Sequence, residues 1–209
     1  MNTPYALTLD VEYPDRPLNR VTSAFRLFTL IPIAIVLATL GTVSVSGSTG
    51  DDYTGFAAAG GGLLFLPPLL MIVFRQKYPR WWFDWNRELL RFTNRVHAYG
   101  ALLNDKYPST DEQQYVKLEL EYPDAKEGLN RWLPLVKWFL AIPHYVALVF
   151  LYLGAILAVI AAWFAILFTG RYPRALFDYV VGVMRWGNRV GAYAFLLVTD
   201  EYPPFRLAR

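Results

Sequence analysis

The same sequence pattern occurs twice in this chain of 209 residues, once in each half. Both halves contain, in the same order, a Glu-Tyr-Pro-Asp motif, a Leu-Asn-Arg motif, an Ile-Pro pair, a Tyr-Pro-Arg motif and an Asn-Arg-Val motif. A repeat of this length constrains the fold strongly, because each copy forms the same supersecondary unit. We predict two units, residues 1–108 and residues 115–209, joined by a short polar stretch.

Each unit begins with a segment in which apolar and polar residues alternate. The two segments are 7–13 and 116–122, and each runs into a Pro-Asp pair. Alternation is typical of a strand with one buried face, and the proline ends it. We therefore expect one short strand in each unit. Pairing of the two strands with each other is the simpler arrangement, and addition to a partner's sheet is the alternative.

Long apolar runs follow the strands and give the chain the composition of a membrane protein. Apolar residues make up 55% of the chain, and aromatic residues gather at the ends of the runs, as they do at membrane interfaces. Runs 21–45 and 56–74 each suit one spanning helix of about 20 residues, with polar residues 46–52 between them. The run 133–168 is too long for one span, so we expect a helical hairpin that turns near Gly154. A single bent or partly submerged helix is the alternative.

The basic residues indicate how these spans are oriented. Lysine and arginine are absent from 46–52 and from the residues around Gly154, but frequent in the segments on the other side of the spans. Short basic loops stay in the cytoplasm. We therefore predict a mainly α-helical membrane protein with four transmembrane helices, arranged as two hairpins related by a pseudo-two-fold axis along the membrane normal. It would be a multi-pass protein of a bacterial inner membrane with both termini in the cytoplasm.

A long amphipathic helix is predicted after each Tyr-Pro-Arg motif. From Trp82 to Leu103 and from Leu176 to Leu197, apolar side chains recur every three or four residues and share one face. Such helices either lie in the headgroup region of an anionic leaflet or pack on the transmembrane helices, and both arrangements stay open. The candidate residues for binding lipid or a partner are Arg80, Trp82, Trp85, Arg87, Arg91, Arg95, Arg174, Arg185, Trp186 and Arg189.

A second candidate site is polar and occurs in both units. Its residues, which would bind a headgroup or another anion, are Asp84, Asp178, Asn94 and Asn188. The simpler explanation is that an aspartate in the first turn is stabilised by the helix dipole, and that Asp84 pairs with Arg87 on the helix surface. Arg26 and Lys137 lie at matched positions near the inner ends of the spans, and snorkelling to the headgroups accounts for them.

Composition and motifs argue against an enzyme. The chain has no cysteine, and His97 and His144 have no companion at metal-ligand spacing, so we expect no metal site. Phosphate-binding loops, dinucleotide fingerprints and nucleophile elbows are absent from the sequence. We therefore expect no catalytic residue, no cofactor and no nucleic-acid partner.

The second unit contains the motifs of a known bacterial family. These are Phe-Thr-Gly-Arg-Tyr-Pro-Arg at 168–174, Phe-Asp at 177–178, Arg-Trp at 185–186, Arg-Val at 189–190 and Asp-Glu-Tyr-Pro-Pro-Phe at 200–205. On these residues the chain resembles domain-of-unknown-function family 4389, a family of membrane proteins without an established biochemical role. The first unit resembles it more loosely, with Phe-Arg-Gln-Lys at 74–77. The resemblance implies a membrane location, with two tandem copies of the domain.

These features lead to one functional expectation and to alternatives. We expect a non-enzymatic accessory or scaffold subunit in the membrane, which binds anionic lipid headgroups and a protein partner, or a second copy of itself, through its amphipathic helices. The first alternative is a small transporter or lipid-handling protein that uses the cavity between the two units. An enzyme that acts on lipid headgroups through Asp84 or Asp178 is the second.

Overall fold

The computed structural model of the protein describes residues 5–45, 56–59, 66–110, 112 and 114–208. These residues form seven α-helices, one short π-helix and four strands, in agreement with a mainly helical fold. In chain order the elements are β1 (Leu7–Val11), α1 (Arg20–Ala24), α2 (Arg26–Gly41), β2 (Thr42–Val45), β3 (Phe56–Ala59), α3 (Leu66–Arg75), α4 (Arg80–Gly100), β4 (Val116–Leu120), α5 (Pro134–Leu140), α6 (Ile142–Thr169), α7 (Arg174–Gly191) and the π-helix Ala192–Leu196. The predicted polar loop at 46–52 lies outside the described residues.

Strands β1 and β4 pair with each other in an antiparallel sheet, so the predicted strands and their pairing within the chain are confirmed. Leu9 lies opposite Leu118 at the centre of the register. The leucine and valine side chains of both strands are buried, while Thr8 and Lys117 are exposed. An ion pair of 2.6 Å joins Lys117 Nζ to Glu12 Oε1 across the sheet. The sheet therefore has one apolar face and one polar face.

The first two predicted spans are shorter in the structure than a bilayer requires. Helix α2 has 16 residues and ends where β2 begins, and α3 has 10 residues, whereas a span needs about 20. The β-branched residues Thr42, Val43 and Val45 favour the extended chain of β2. Pro67 and Pro68 are tolerated in the first turn of α3, because the N–H groups that they lack would have no partner within the helix there. Four transmembrane helices are therefore not supported.

Helix α6 runs without interruption from Ile142 to Thr169, so the predicted hairpin at Gly154 is wrong. Its 28 residues give a length of about 42 Å at 1.5 Å per residue. Among the described residues it is the one helix that is long and apolar enough to cross a membrane. Gly154 faces the ring of Tyr179 in α7, which leaves no room for a larger side chain. A single glycine costs a helix only about 1 kcal/mol, too little to force a turn in an apolar helix whose one proline, Pro143, lies in the first turn.

Helices α4 and α7 form the middle layer of the molecule. Helix α7 contacts α6 and β1, and α4 in the same way contacts α2 and β4. Arg185 Nε donates to the carbonyl of Leu9 at 2.8 Å, and Arg91 Nε donates to that of Leu118 at 3.0 Å. An arginine of each helix thus holds one strand. The resulting order of layers is apolar helices, amphipathic helices, then sheet.

Contacts between the two halves occur in pairs that follow the sequence matches. The hydroxyl of Tyr13 donates to the carbonyl of Tyr172, and the hydroxyl of Tyr122 donates to that of Tyr78, each at 2.5 Å. The two arginines above follow the same rule, since each binds the strand of the other half. The halves 1–108 and 115–209 therefore interlock through exchanged contacts.

Candidate functional site

Helices α4 and α7 begin where the sequence predicted, directly after the Tyr-Pro pairs. Pro79 and Pro173 occupy the N-cap positions in extended conformations. The apolar stripe of α4 points into the protein, where Phe92 and Val96 form a buried cluster with Ile33 of α2. Half of the residues of α7 are buried as well. The sequence left open whether these stripes lie in the headgroup region or pack against other helices. The buried part of each stripe packs against other helices.

Three of the candidate residues for binding lipid or a partner are buried. Arg95 Nη1 donates to the carbonyl of Ser109 at 2.9 Å. Arg189 donates to the carbonyls of Arg206 and Ala208, at 3.2 and 2.6 Å, in the C-terminal segment (residues 198–208). Trp186 Nε1 donates to His144 Nδ1 at 3.0 Å. These three side chains hold the fold together from inside, where neither a lipid nor a partner reaches them.

Two further candidates, Arg91 and Arg185, join the helices to the sheet. Besides their bonds to strand carbonyls, each lies near a carboxylate: Arg91 Nη1 is 2.9 Å from Glu88 Oε1, and Arg185 Nη2 is 3.6 Å from Asp10 Oδ1. Both side chains are largely covered. Their charge is therefore balanced within the protein, and only a part of each faces outward.

The other five candidates lie near the starts of α4 and α7, with their side chains partly or fully at the surface: Arg80, Trp82, Trp85, Arg87 and Arg174. The guanidinium of Arg80 lies 4.6 Å from the ring centre of Tyr122, and that of Arg174 lies 4.6 Å from the ring centre of Tyr13. Each tyrosine belongs to the other half of the chain. Cation–π contacts of this kind orient the arginines without removing them from water. These five residues remain accessible to a partner.

The four residues of the predicted polar site do not come together. Asn94 and Asn188 exchange two hydrogen bonds, of 2.8 and 2.7 Å, and join α4 to α7. Asp84 and Asp178 lie ten positions earlier in each helix, about 15 Å away along the helix axis. There, Asp84 pairs with Arg80 and Arg87, and Asp178 pairs with Arg174. The amides are thus a structural crossing point, and the aspartates form helix-surface ion pairs.

Two buried ion pairs were not predicted from the sequence. Arg26 Nη2 lies 2.6 Å from Asp105 Oδ1, and Lys137 Nζ lies 2.7 Å from Asp200 Oδ1. Lys137 is 0% exposed, so it does not snorkel to a membrane surface as expected, and the same holds for Arg26. Burial lowers the pKa of the Lys137 ammonium, and the hydrogen bond that this ammonium donates to Asp200 opposes the shift. The sequence feature that could have indicated these ion pairs is an aspartate two residues before the last Tyr-Pro pair of each half, Asp105 or Asp200.

A continuous apolar surface runs along the full length of α6. Its exposed residues, called the α6 stripe below, are Val146, Phe150, Leu153, Leu157, Ile160, Phe164 and Phe168. They recur every three or four positions and so share one side of the helix. On the opposite side Ala155, Ala158 and Ala162 are buried against the protein. The sequence did not reveal this stripe, because a hairpin at Gly154 divides the same run into two short helices.

Helices α2 and α5 add to this exposed surface. In α2 the exposed residues include Phe28, Ile31 and Ile35, again at helical spacing, and in α5 they include Trp138 and Phe139. Exposed apolar side chains in such number are rare on soluble monomers and mark surfaces that lipid or protein covers. We call the α6 stripe together with these residues of α2 and α5 the apolar face.

The polar side of the molecule contains two open cavities of modest size. One of 340 Å³ is lined by Tyr13, Arg16, Arg171 and their neighbours, and one of 320 Å³ is lined by residues of β1 and α7. Each contains groups of both charges, since Asp15 lies in the first and Asp178 in the second. Within the described part of the chain, no group of three or more His, Asp or Glu residues could hold a metal ion.

Comparison with known proteins identifies one family. Residues 132–206 match the family described as Domain of unknown function (DUF4389). No curated protein and no solved structure shows significant similarity to the chain. The match covers α5, α6, α7 and most of the C-terminal segment, including the Lys137–Asp200 ion pair and most of the apolar face. The match therefore shows one DUF4389 domain at residues 132–206, and not the two tandem copies that were expected.

Proposed function

We propose that this protein is a non-enzymatic membrane protein that binds lipid through its apolar face and a protein partner through its polar side. The observation that carries the proposal is the α6 stripe, seven large apolar side chains that no residue in the described part of the chain covers. Each such side chain gains about 1.5–3 kcal/mol when fully buried. For seven residues that are about half exposed, transfer to lipid is worth on the order of 10 kcal/mol.

The proposal changes which helices bind the lipid. The amphipathic helices α4 and α7 were expected to bind lipid, but they lie in the middle layer. Lipid binding is therefore assigned to α2, α5 and α6, whose apolar side chains are exposed. The chain is then a protein of a bacterial inner membrane, as the DUF4389 resemblance implies. The paired contacts, such as Tyr13 with Tyr172 and Tyr122 with Tyr78, support an origin by tandem duplication of one unit.

The partner surface that we propose lies around the start of α4. Trp81 is 70% exposed and packs edge-on against Trp82, while Trp85 is also exposed. Arginine and tryptophan are enriched at the centres of protein interfaces. Arg80 and Arg87 flank this aromatic group, and Asp84 lies between them. A surface with this chemistry suits an accessory or scaffold subunit, and a second copy of the chain is one candidate partner.

Lipid binding is tested by placing charges on the apolar face. Leu153→Asp combined with Leu157→Asp should shift the protein from the carbonate-resistant membrane fraction to the soluble or aggregated fraction. An aspartate in the apolar part of a bilayer costs up to about 3 kcal/mol, so the two together should lower membrane partition by on the order of 100-fold. The control is Thr8→Asp, which adds one aspartate to the exposed face of the sheet and is compared with each single substitution, Leu153→Asp or Leu157→Asp. Unchanged membrane binding of the Leu153/Leu157 variant would contradict the proposal.

The partner surface is tested separately. Trp81→Ala with Trp85→Ala should convert a detergent-extracted complex to the 24.0 kDa monomer in sizing experiments, without loss of membrane binding. Trp132→Ala is the matched control, because Trp132 is equally exposed but lies before α5. A protein that is monomeric before any substitution would remove this part of the proposal.

A further inference from the structure

We infer that α6 lies in the plane of a single leaflet, so that the protein rests on one side of the membrane with its sheet toward water, and does not cross the bilayer. This inference rests on the proposed lipid binding and specifies its geometry. It follows from the contacts that the beginning, the middle and the end of α6 make with other parts of the protein.

The beginning of α6 is fixed to a charged part of the protein. Lys137, five residues before the helix starts, is held by Asp200 at 2.7 Å and by the carbonyl of Thr199 at 2.7 Å. The hydroxyl of Tyr202 donates to the carbonyl of Leu140 in the same region. The C-terminal segment, which is polar, thus lies beside the first turn of α6.

The middle of α6 packs on α7, whose opposite side carries charged groups toward the sheet. The hydroxyl of Tyr179 in α7 donates to the carbonyl of Leu151 at 3.1 Å, and its ring touches Gly154. These contacts lie near the centre of α6. The residue next to Tyr179 is Asp178, whose side chain is 60% exposed and pairs with an equally exposed Arg174. Beyond α7 lies the sheet, with Lys117 and Glu12 on its surface.

The end of α6 is fixed to a further polar segment. The amide of Leu18 donates to the carbonyl of Gly170 at 2.8 Å, and Trp163 Nε1 donates to the carbonyl of Ser23 at 3.1 Å. Arg20 and Arg171 are exposed at this end, where the negative pole of the helix dipole favours cations. Their position beside Phe168 suits contact with lipid phosphates at the border of the apolar face.

A transmembrane orientation conflicts with this arrangement. A helix that crosses a bilayer meets polar surroundings only at its two ends. Here α7 packs on the middle of α6 and the sheet lies beyond α7, so crossing would draw Asp178, Arg174 and the sheet to the level of the hydrocarbon core. Charges exposed to hydrocarbon are strongly disfavoured. An orientation in the plane of the leaflet places the α6 stripe in lipid and leaves every one of these charges in water, as for other interfacial helices.

The occupant of the apolar face is therefore lipid and not another protein. The stripe extends over the full length of α6, and α2 presents a second stripe with Phe28, Ile31 and Ile35. No charged residue interrupts either stripe. Basic residues stand at the border, in Arg20 and Arg171, where an anionic leaflet attracts them. This is the charge pattern that a membrane surface requires.

Single-cysteine labelling tests the inference, because the natural chain contains no cysteine. Glu201→Cys reports on the beginning of α6, Arg171→Cys on its end, and Lys117→Cys on the sheet; all three positions are exposed. Each variant is expressed in bacteria, and membrane vesicles of both orientations are treated with a maleimide that cannot cross the bilayer. We expect all three cysteines to react in the same vesicle type, with at least a tenfold preference over the other.

The outcomes separate the inference from the proposed function. Reaction of Glu201→Cys and Arg171→Cys in opposite vesicle types would show that α6 crosses the bilayer, which overturns the inference and leaves lipid binding intact. Release of the protein from the vesicles by carbonate would instead overturn lipid binding itself. A variant that fails to fold is recognised by its loss from both vesicle types, and Glu127→Cys and Thr169→Cys then replace the outer two reporters, since both positions are exposed.

Discussion

At the scale of single residues, the fold depends on two buried cations that occupy matched positions. Arg26 lies over the ring of Tyr99 at 4.0 Å, and Lys137 lies over that of Tyr193 at 5.2 Å. Each is also paired with an aspartate of its own half, Asp105 or Asp200. These aspartates accept a second hydrogen bond from a backbone amide of the Leu-Asn-Arg motif. In each half, the carboxylate of this aspartate thus joins the start of the apolar helices to the segment that follows the amphipathic helix.

Removing one partner of such a pair should destabilise the protein strongly. Lys137→Met leaves the Asp200 carboxylate without its cation, and we expect the free energy of unfolding to fall by about 3–5 kcal/mol. Lys137→Met combined with Asp200→Asn should recover a large part of this loss, because no unpaired charge remains. Denaturant titration in detergent micelles measures both. The exposed Lys117 serves as the control, and an equal loss for Lys117→Met would contradict the account.

Buried tyrosines predict how stability depends on pH. Burial raises the pKa of Tyr5, Tyr78, Tyr115 and Tyr172 far above the ordinary value of about 10. In the unfolded chain these groups lose their protons near pH 10, while in the folded protein they keep them, so stability is complete below pH 10 and declines above it. Absorbance at 295 nm should show at least four of the 14 tyrosines ionising only when the protein unfolds. Ionisation of all 14 near pH 10 with unchanged circular dichroism would refute this.

At the scale of elements, α7 depends on a glycine that lets the C-terminal segment approach. A Cβ at Gly182 would lie 2.9 Å from Leu207 Cβ and 3.3 Å from its carbonyl oxygen, whereas a Cβ at Gly191 would have no neighbour within 4 Å. Both glycines belong to the same helix. The segment is also held by Arg185, which donates to the carbonyl of Leu207 at 3.2 Å. Gly182 therefore sets the distance between α7 and the end of the chain.

Two alanine substitutions in α7 should have opposite effects. Alanine normally stabilises a helix by up to about 1 kcal/mol relative to glycine, and Gly191→Ala should show a gain of this kind. Gly182→Ala should instead destabilise by about 1–2 kcal/mol, since overpacking costs more than the propensity gains. Thermal unfolding measures both, and protease sensitivity of residues 199–208 should rise only for Gly182→Ala. Equal midpoints for the two variants would contradict the role of Gly182.

The π-helix after α7 has an origin in the sequence. Tyr99 and Leu102 are three residues apart in the first half, whereas the matched Tyr193 and Leu197 are four residues apart. Both leucines have a left-handed conformation, with φ of 63° and 57°. The helix absorbs the extra residue as one wide turn, which is how single insertions are accommodated in helices. The two halves thus return to the same geometry after a difference of one residue.

The sequence revealed local elements better than it revealed what covers them. Alternation predicted β1 and β4, and the Tyr-Pro-Arg motifs predicted where α4 and α7 begin. The direction in which the stripe of α4 faces was open, because an apolar stripe packs equally well on lipid and on protein. Gly154 was mistaken for a turn, since its close contact with Tyr179 is a property of the fold. The buried pairs of Asp105 and Asp200 join positions far apart in the chain, which no local pattern reports.

At the scale of the whole molecule, three layers define two opposite surfaces. The apolar face lies on α2, α5 and α6, and the sheet of β1 and β4 lies on the other side of α4 and α7. A molecule with this polarity acts as a platform on a membrane surface, where the lipid fixes its orientation and the polar side stays free for a partner. The central claim is therefore that α6 is immersed along its whole length at one depth.

Depth measurement along α6 tests this claim most directly. Spin labels are attached to single cysteines at Val146, Leu153, Ile160 and Phe168, all members of the α6 stripe, and the protein is placed in phospholipid bilayers. The ratio of accessibilities to oxygen and to a water-soluble nickel complex then gives the depth of each label. We predict one similar, shallow depth at all four positions. A profile that is deepest at Leu153 and Ile160 and shallow at both ends would show a crossing helix and contradict the account.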